Sequence, residues 1–378
     1  MRSSTDSMHR VGYTNYQLDQ RSGKFISIAG LLPVVCHSNA LTAEIFKFFK
    51  LAGIHLNGEY LFYKSEDDAK KLIKELILIG KKIIFEWPPS EEIYNNSNPE
   101  VKKELYSWLN NKANIDSLCK TQYQPHHELF DPNDLSKMID FLPEQAIFAK
   151  LCHNDVTGGG ADVYFCSEAA HRKSLLDWVA SRPKGWNYIR VEEALEVKDS
   201  WCLCFFISPT KVTYLGAAIQ LFESPGKQSG SLIDPEVEPS DKTIAIAKDI
   251  AERAASLGFK GIVGFDIGED LKGQPYVFDL NFRDVRCSLQ ILFHTSATRR
   301  INCNVSKSWV REINKPLALV IEKLEIFVSK GYFVPLYLFE STSVELPSRI
   351  FAMLIGKDRI DLQRLESDIN HSLTVLGE

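Results

Sequence analysis

Two short segments carry side chains whose types and spacing suit work on a phosphate. Gly264-Phe265-Asp266-Ile267 is followed, after nine residues, by Val277-Phe278-Asp279-Leu280-Asn281-Phe282-Arg283, with Gly273-Gln274 between them as the turn of a hairpin. Alternation along an extended chain puts Asp279, Asn281 and Arg283 on one face, and Asp266 on the first strand faces the same point. Three oxygen donors beside a guanidinium suit a hard cation such as Mg²⁺, which also meets phosphate oxygens. The arginine would balance charge on a transferring phosphoryl group. The same pattern also fits the polar face of an exposed hairpin. Lys150 stands inside an otherwise apolar run, Ala146-Ile147-Phe148-Ala149-Lys150-Leu151, where its ammonium needs an anion or a path to water. Thr157-Gly158-Gly159-Gly160, just beyond, can close backbone N–H groups over phosphates or can simply tip a hairpin. No G-K-[ST] follows it and G-x-G-x-x-G is absent, so it is neither a P-loop nor a dinucleotide fingerprint.

Ordered elements must hold these side chains, and 378 residues suffice for roughly two to three domains. Hydrophobic residues at 44% and charged residues at 25% give an ordinary globular balance, and a net charge of −5 offers no electrostatic reason to bind nucleic acid. Apolar stretches fall far short of the ~20 residues that span a bilayer. Residues 1–24 are polar with no apolar centre, which reads as a loose tail and not a signal peptide. The eight cysteines contain no C-x-x-C pair, and Cys202 and Cys204 share one face of a strand; reduced thiols in a cytoplasmic protein, without a zinc pattern, are expected.

Periodicity predicts a helix over Glu66–Gly80, a short buried strand over Lys82–Trp87 stopped by Pro88-Pro89, and a helix from Asn98-Pro99-Glu100 to Lys112. Strands are expected at 146–151, 162–166 and 188–192, with a helix over 169–180. An antiparallel pair at 202–207 and 211–221 precedes a helix over 241–257, capped by Ser240 and closed at Gly258. After the hairpin come a long helix over Ser308–Lys330, strands at 332–339 and 349–355, and an acidic closing helix. The fold class is mixed, α/β and α+β, in several lobes.

Taken in order, Lys150, the loop Thr157–Ala161, Val191-Glu192-Glu193-Ala194-Leu195, Gly264-Phe265-Asp266 and Asp279-Leu280-Asn281-Phe282-Arg283 resemble the ATP-grasp ligase family. The resemblance spans about Lys112 to Arg300. It implies an ATP-grasp fold with a small preceding α/β domain at 25–112, a lid lobe at 113–195, a metal-binding catalytic lobe at 196–301 and a C-terminal α+β extension at 302–378. It further implies that Lys112 and Lys150 contact the nucleotide, that Gly158, Gly159 and Gly160 cover its phosphates, and that Glu192, Glu193, Ala194 and Leu195 line the adenine. Asp199 would hold the ribose. Asp266, Asp279 and Asn281 would bind Mg²⁺, for which Mn²⁺ could substitute, with Arg283 and Arg286 at the transferred phosphoryl group. Asp279 stands where the family usually has Glu, and residue 264 is Gly where several ligases have Arg.

The implied reaction activates a carboxylate as an acyl phosphate and transfers it to a nucleophile. An amino acid is the expected donor, with Arg286, Arg299 and Arg300 as candidate carboxylate clamps. An amine acceptor, giving an amide in an antibiotic or secondary-metabolite pathway, is favoured. A carrier-protein phosphopantetheine thiol is the alternative acceptor, and a nucleotide-binding module without turnover, a kinase of the same fold and an interaction scaffold are the other readings.

Overall fold

The computed structural model describes residues 14–86, 91–97, 99–154, 160, 162–182, 185–343 and 345–374. Three sheets organise the described residues. Near the N-terminus, β1 (Val34–His37) and β2 (Tyr60–Tyr63) pair in parallel. The helix Ala43–Leu51 connects them, and the expected helix follows as Glu66–Leu78, N-capped by Ser65 with Glu66, Asp67 and Asp68 in its first turn.

Three expectations in this region need correction. Residues 14–24 are not a loose tail: Thr14 closes a capping box on the helix Asn15–Arg21, Leu18 is buried, and Lys24 is buried between the carboxylates of Glu86 and Asp284. Polar side chains there serve interior ion pairs, which composition alone cannot distinguish from a solvated face. Residues 81–86 form no strand; Ile83 is buried, and Glu86 accepts from Tyr106 Oη at 3.1 Å through its carbonyl. Trp87, Pro88 and Pro89 lie outside the described residues. The helix expected from Asn98, itself outside the described residues, begins only at Lys103 and ends at Asn110, because Asn111 turns extended and caps a 3₁₀ turn over Lys112–Asn114.

The second sheet is antiparallel throughout: β3 (His127–Phe130), β4 (Ile147–His153), β5 (Val163–Cys166) and β6 (Trp186–Glu193), in the order β3-β6-β4-β5. The helix Arg172–Ala180 places Leu175 and Val179 against Ile147, Ala149 and Val191.

The third sheet has eight strands: β7 (Val197–Ile207), β8 (Val212–Ser224), β9 (Lys227–Ile233), β10 (Gly261–Asp270), β11 (Pro275–Asn281), β12 (Val305–Ile313), β13 (Phe333–Phe339) and β14 (Ser348–Gly356). Its order is β11-β10-β7-β8-β9-β12-β14-β13. Helix Asp241–Ser256, capped by Ser240 as expected, packs Ala247, Ile250 and Ala251 on Leu203, Phe205 and Phe265. The long helix over Ser308–Lys330 is not observed as such. Its first part is β12, matched residue for residue to β14 from Val305↔Gly356 to Ile313↔Ser348, and the helix proper is Leu317–Ser329, starting after Pro316. Proline fixes that start, and the strand before it is held by its continuous ladder with β14. The hydrogen-bonded β9–β12 contact carries one sheet across the boundary expected at 301/302. Phe48 and Phe49 of the N-terminal domain pack into this C-terminal core, with Phe48 ring-to-ring against Phe333.

Candidate active site

A cavity of about 590 Å³ lies between the four-stranded sheet and the β10–β11 end of the large sheet. From the small sheet, Phe148, Lys150, Val163, Glu192 and Glu193 line one wall. On that wall Lys150 pairs with the Glu192 carboxylate and donates to the Phe278 carbonyl at 2.8 Å. Arg190, fully buried, donates to Glu192 Oε2 at 3.2 Å, to Gln124 Oε1 at 2.7 Å and to Asp116 Oδ1 at 3.0 Å. Buried charges persist only when paired and hydrogen-bonded, and here each carboxylate and cation has a partner. Glu193 accepts from the His126 N–H at 2.9 Å, and Leu195 joins the lining.

The opposite wall carries the hairpin, where Asp266 is registered directly across from Asp279. Burial above all, with the neighbouring Asp279 carboxylate, pushes Asp266 up to about 7. Burial also opposes charge on Asp279, but Lys112 and Lys150 outweigh it and hold that carboxyl below the usual range. The Lys112 ammonium lies 2.6 Å from both Asp279 oxygens. Asn281 is buried beside them, and Asn110 Oδ1 accepts from the Phe282 N–H at 3.0 Å and from Arg283 Nη1 at 3.2 Å, aiming the arginine. Asp266, Asp279 and Asn281 fit a hard divalent cation, because the donors are all oxygen and the opposed carboxylates are a half-buried like-charge pair that a cation would relieve.

Of the other expected site residues, Gly160 and Arg286 also line the cavity. Gly160 has φ +74°, and a Cβ there would come within 2.7 Å of the Gly226 carbonyl oxygen, so glycine lets the backbone at this one position approach the β8–β9 turn. Gly158 and Gly159 lie outside the described residues. Ala194 is not among the lining residues; its N–H donates to the Ala146 carbonyl at 2.9 Å. Asp199 is not among the residues that line the cavity either: its backbone is registered against Glu269 in the β7–β10 ladder, while Ser200 and Cys202 line the cavity. Arg299 and Arg300 end the helix Ser288–Arg300 away from the cavity, and Arg300 donates to the Ala52 carbonyl at 2.7 Å. Gly264 leaves no room for a larger residue, since a Cβ would meet Val285 Cγ2 at 2.5 Å and Cys202 Sγ at 3.1 Å.

Sequence reasoning missed Arg21, Asn110 and Gln220. Arg21 and Gln220 line the cavity, and Arg21 reaches it from the supposed tail. The only trace of that role was the Arg21-x-x-Lys24 pair of cations beside small residues, too common a pattern to read.

Comparison with known proteins gives two matches along the sequence. Residues 1–107 match the L-aspartate–L-methionine ligase N-terminal domain, and residues 125–281 match the L-aspartate–L-methionine ligase ATP-grasp family. Among solved structures, N5-carboxyaminoimidazole synthetase from Staphylococcus aureus complexed with ADP superposes with TM-score 0.59 at 10% identity, covering 91% of this chain and 96% of that one. The L-amino acid ligase from Bacillus licheniformis does so with TM-score 0.55 at 11% identity, covering 91% and 97%. At these identities the likeness establishes the fold.

Proposed function

Since the chain belongs to the ATP-grasp ligase family, we propose that it joins two amino acids at the expense of ATP, with L-aspartate as the activated carboxylate and L-methionine as the amine. The observation that carries this reading is the convergence of Lys112, Lys150, the Asp266–Asp279 pair and Arg283 on one cavity. Both family matches name the same pair of amino acids, and the one over residues 125–281 contains residues of both walls of the cavity.

The donor carboxylate attacks the γ-phosphorus of ATP, and the bond to the bridging oxygen breaks to release ADP. The acceptor amine then attacks the acyl carbon, phosphate departs, and the amine loses a proton. Asp266, Asp279 and Asn281 would hold Mg²⁺, which when bound neutralises charge on the phosphates. Lys150, fixed by Glu192 and the Phe278 carbonyl, presents its ammonium to the nucleotide without reorganising. Arg283, aimed by Asn110, meets the transferred phosphoryl group. Arg286 and Arg21 are the cations for a second carboxylate, which aspartate has and most amino acids lack. The Gly160–Gly226 approach shields the acyl phosphate from water.

The test measures ADP formation with ATP, Mg²⁺ and single or paired amino acids, with mass detection of the dipeptide. ADP release requiring both aspartate and methionine, and an aspartyl hydroxamate when hydroxylamine replaces methionine, is expected. ADP formation with a different pair would overturn the substrate assignment. A stable phosphorylated product would overturn the ligase reading.

A further inference from the structure

Against the carboxylates lies a second cluster that this chemistry does not use. Cys202 and Cys204 stand two apart on β7, on one face, and Cys287 caps the helix Ser288–Arg300 directly over them. Their Sγ atoms all lie within 4.8 Å of one another, and those of Cys204 and Cys287 are 4.0 Å apart. With metal–sulfur bonds of about 2.3 Å, a trigonal site separates its sulfurs by about 4.0 Å and a tetrahedral one by about 3.8 Å. The side chains therefore stand within a small rotation of a ligating arrangement.

Three buried thiols could also be plain core filling. Two features set this cluster apart from the protein's other buried cysteines. Cys202 and Cys287 line the cavity, which gives an ion a route in. Cys202 is also in hydrogen-bonding contact with the Asp266 carboxylate, which stands outside the group of three sulfurs and becomes a fourth donor only by turning toward them. Thiolates select soft cations and leave Mg²⁺ to the oxygen donors, so the two sites differ in the ions they prefer although they share Asp266. The pattern hides in sequence because the third ligand comes 83 residues after the second.

We propose that Cys202, Cys204 and Cys287 bind one Zn²⁺ or a similar soft d¹⁰ cation, and that the bound ion draws Asp266 away from the Mg²⁺ position and inhibits the enzyme. Binding forms three metal–sulfur bonds and releases the thiol protons to solvent.

The experiment titrates the full-length protein with Cd²⁺, as a spectroscopic probe, under excess Mg²⁺. An ultraviolet thiolate-to-metal band saturating at one ion per chain is expected; its absence overturns the proposal. Cys204→Ser, which does not line the cavity, should weaken Cd²⁺ by about tenfold or more while keeping Mg²⁺-dependent ADP formation. Zn²⁺ should inhibit the parent protein, reversibly by chelator, and spare this variant. Inhibition equal in both would place the ion elsewhere and overturn the assignment. Should the variant not fold, alkylation of the native parent decides: Zn²⁺ should protect Cys202 and Cys287, and unchanged alkylation refutes the site.

Discussion

The two walls of the cavity hold buried charge in opposite ways. On the small sheet, Lys150, Glu192 and Arg190 form an alternating chain that continues to Gln124 and Asp116, and each charge meets its opposite. On the hairpin, two carboxylates face each other, and Lys112 compensates mainly one of them. The first wall is electrostatically complete within the protein; the second is complete only when a further positive charge joins it. On the proposed reading, the complete wall is a fixed template for the nucleotide and the repulsion at the hairpin serves to attract a cation.

The sharpest way to break this contrast is Asp279→Ala, expected to lower turnover by a thousandfold or so while leaving the fold intact. Steady-state ADP formation and circular dichroism check it, and near-normal activity would refute the metal assignment. Arg190→Ala attacks the complete wall and leaves Glu192 with one fewer partner in a buried position. It should cost about 3–5 kcal/mol of stability in denaturant unfolding. A third cluster, Lys24 with Glu86 and Asp284, is compensated at Glu86 alone, since burial and the neighbouring Glu86 push the Asp284 carboxyl up. Burial opposes charge on Glu86, but Lys24 and Arg21 outweigh it and hold the carboxyl at about 2, below its ordinary 4.5. A depressed acid contributes stability above the unfolded value, so on the order of 3 kcal/mol should be lost as pH falls from about 4.5 through 2. Glu86→Gln should flatten that part of a melting-temperature profile. The smallest effect has the opposite sign: Asp266→Asn removes repulsion and should raise stability at pH 8 without metal by about 1–2 kcal/mol, although it abolishes turnover. Scanning calorimetry of the metal-free protein tests it, and a lower melting temperature would count against the repulsion.

Much of this arrangement was legible because it is local. The period-two spacing of Asp279, Asn281 and Arg283, the Gly273 turn and the cap at Ser240 all depend on neighbours a few residues away, and the structure has them. Reading failed where a residue's meaning comes from a distant partner. Lys24 looked like a solvated tail residue because Glu86 and Asp284 lie far along the chain. The segment Ser308–Ile313 reads as helix in sequence because its strand partner, β14, lies some forty residues on. Asp199 was assigned to ribose by order in the chain, but strand parity at Ser200 and Cys202 sends those neighbours to the cavity instead. In each case the deciding quantity was the side of a strand or the identity of a remote counter-charge.

The junction of β9 with β12 has a consequence for any attempt to isolate the catalytic half. A fragment ending at residue 301 would keep every cavity-lining residue yet strip β9 of its outer neighbour. Ser231, whose N–H now donates to Ser308 Oγ at 2.8 Å, and the backbone around it would become a raw sheet edge, a template for self-association. The C-terminal strands therefore act as a built-in guard for solubility, and the shortened chain should gather into oligomers before it reveals any loss of chemistry.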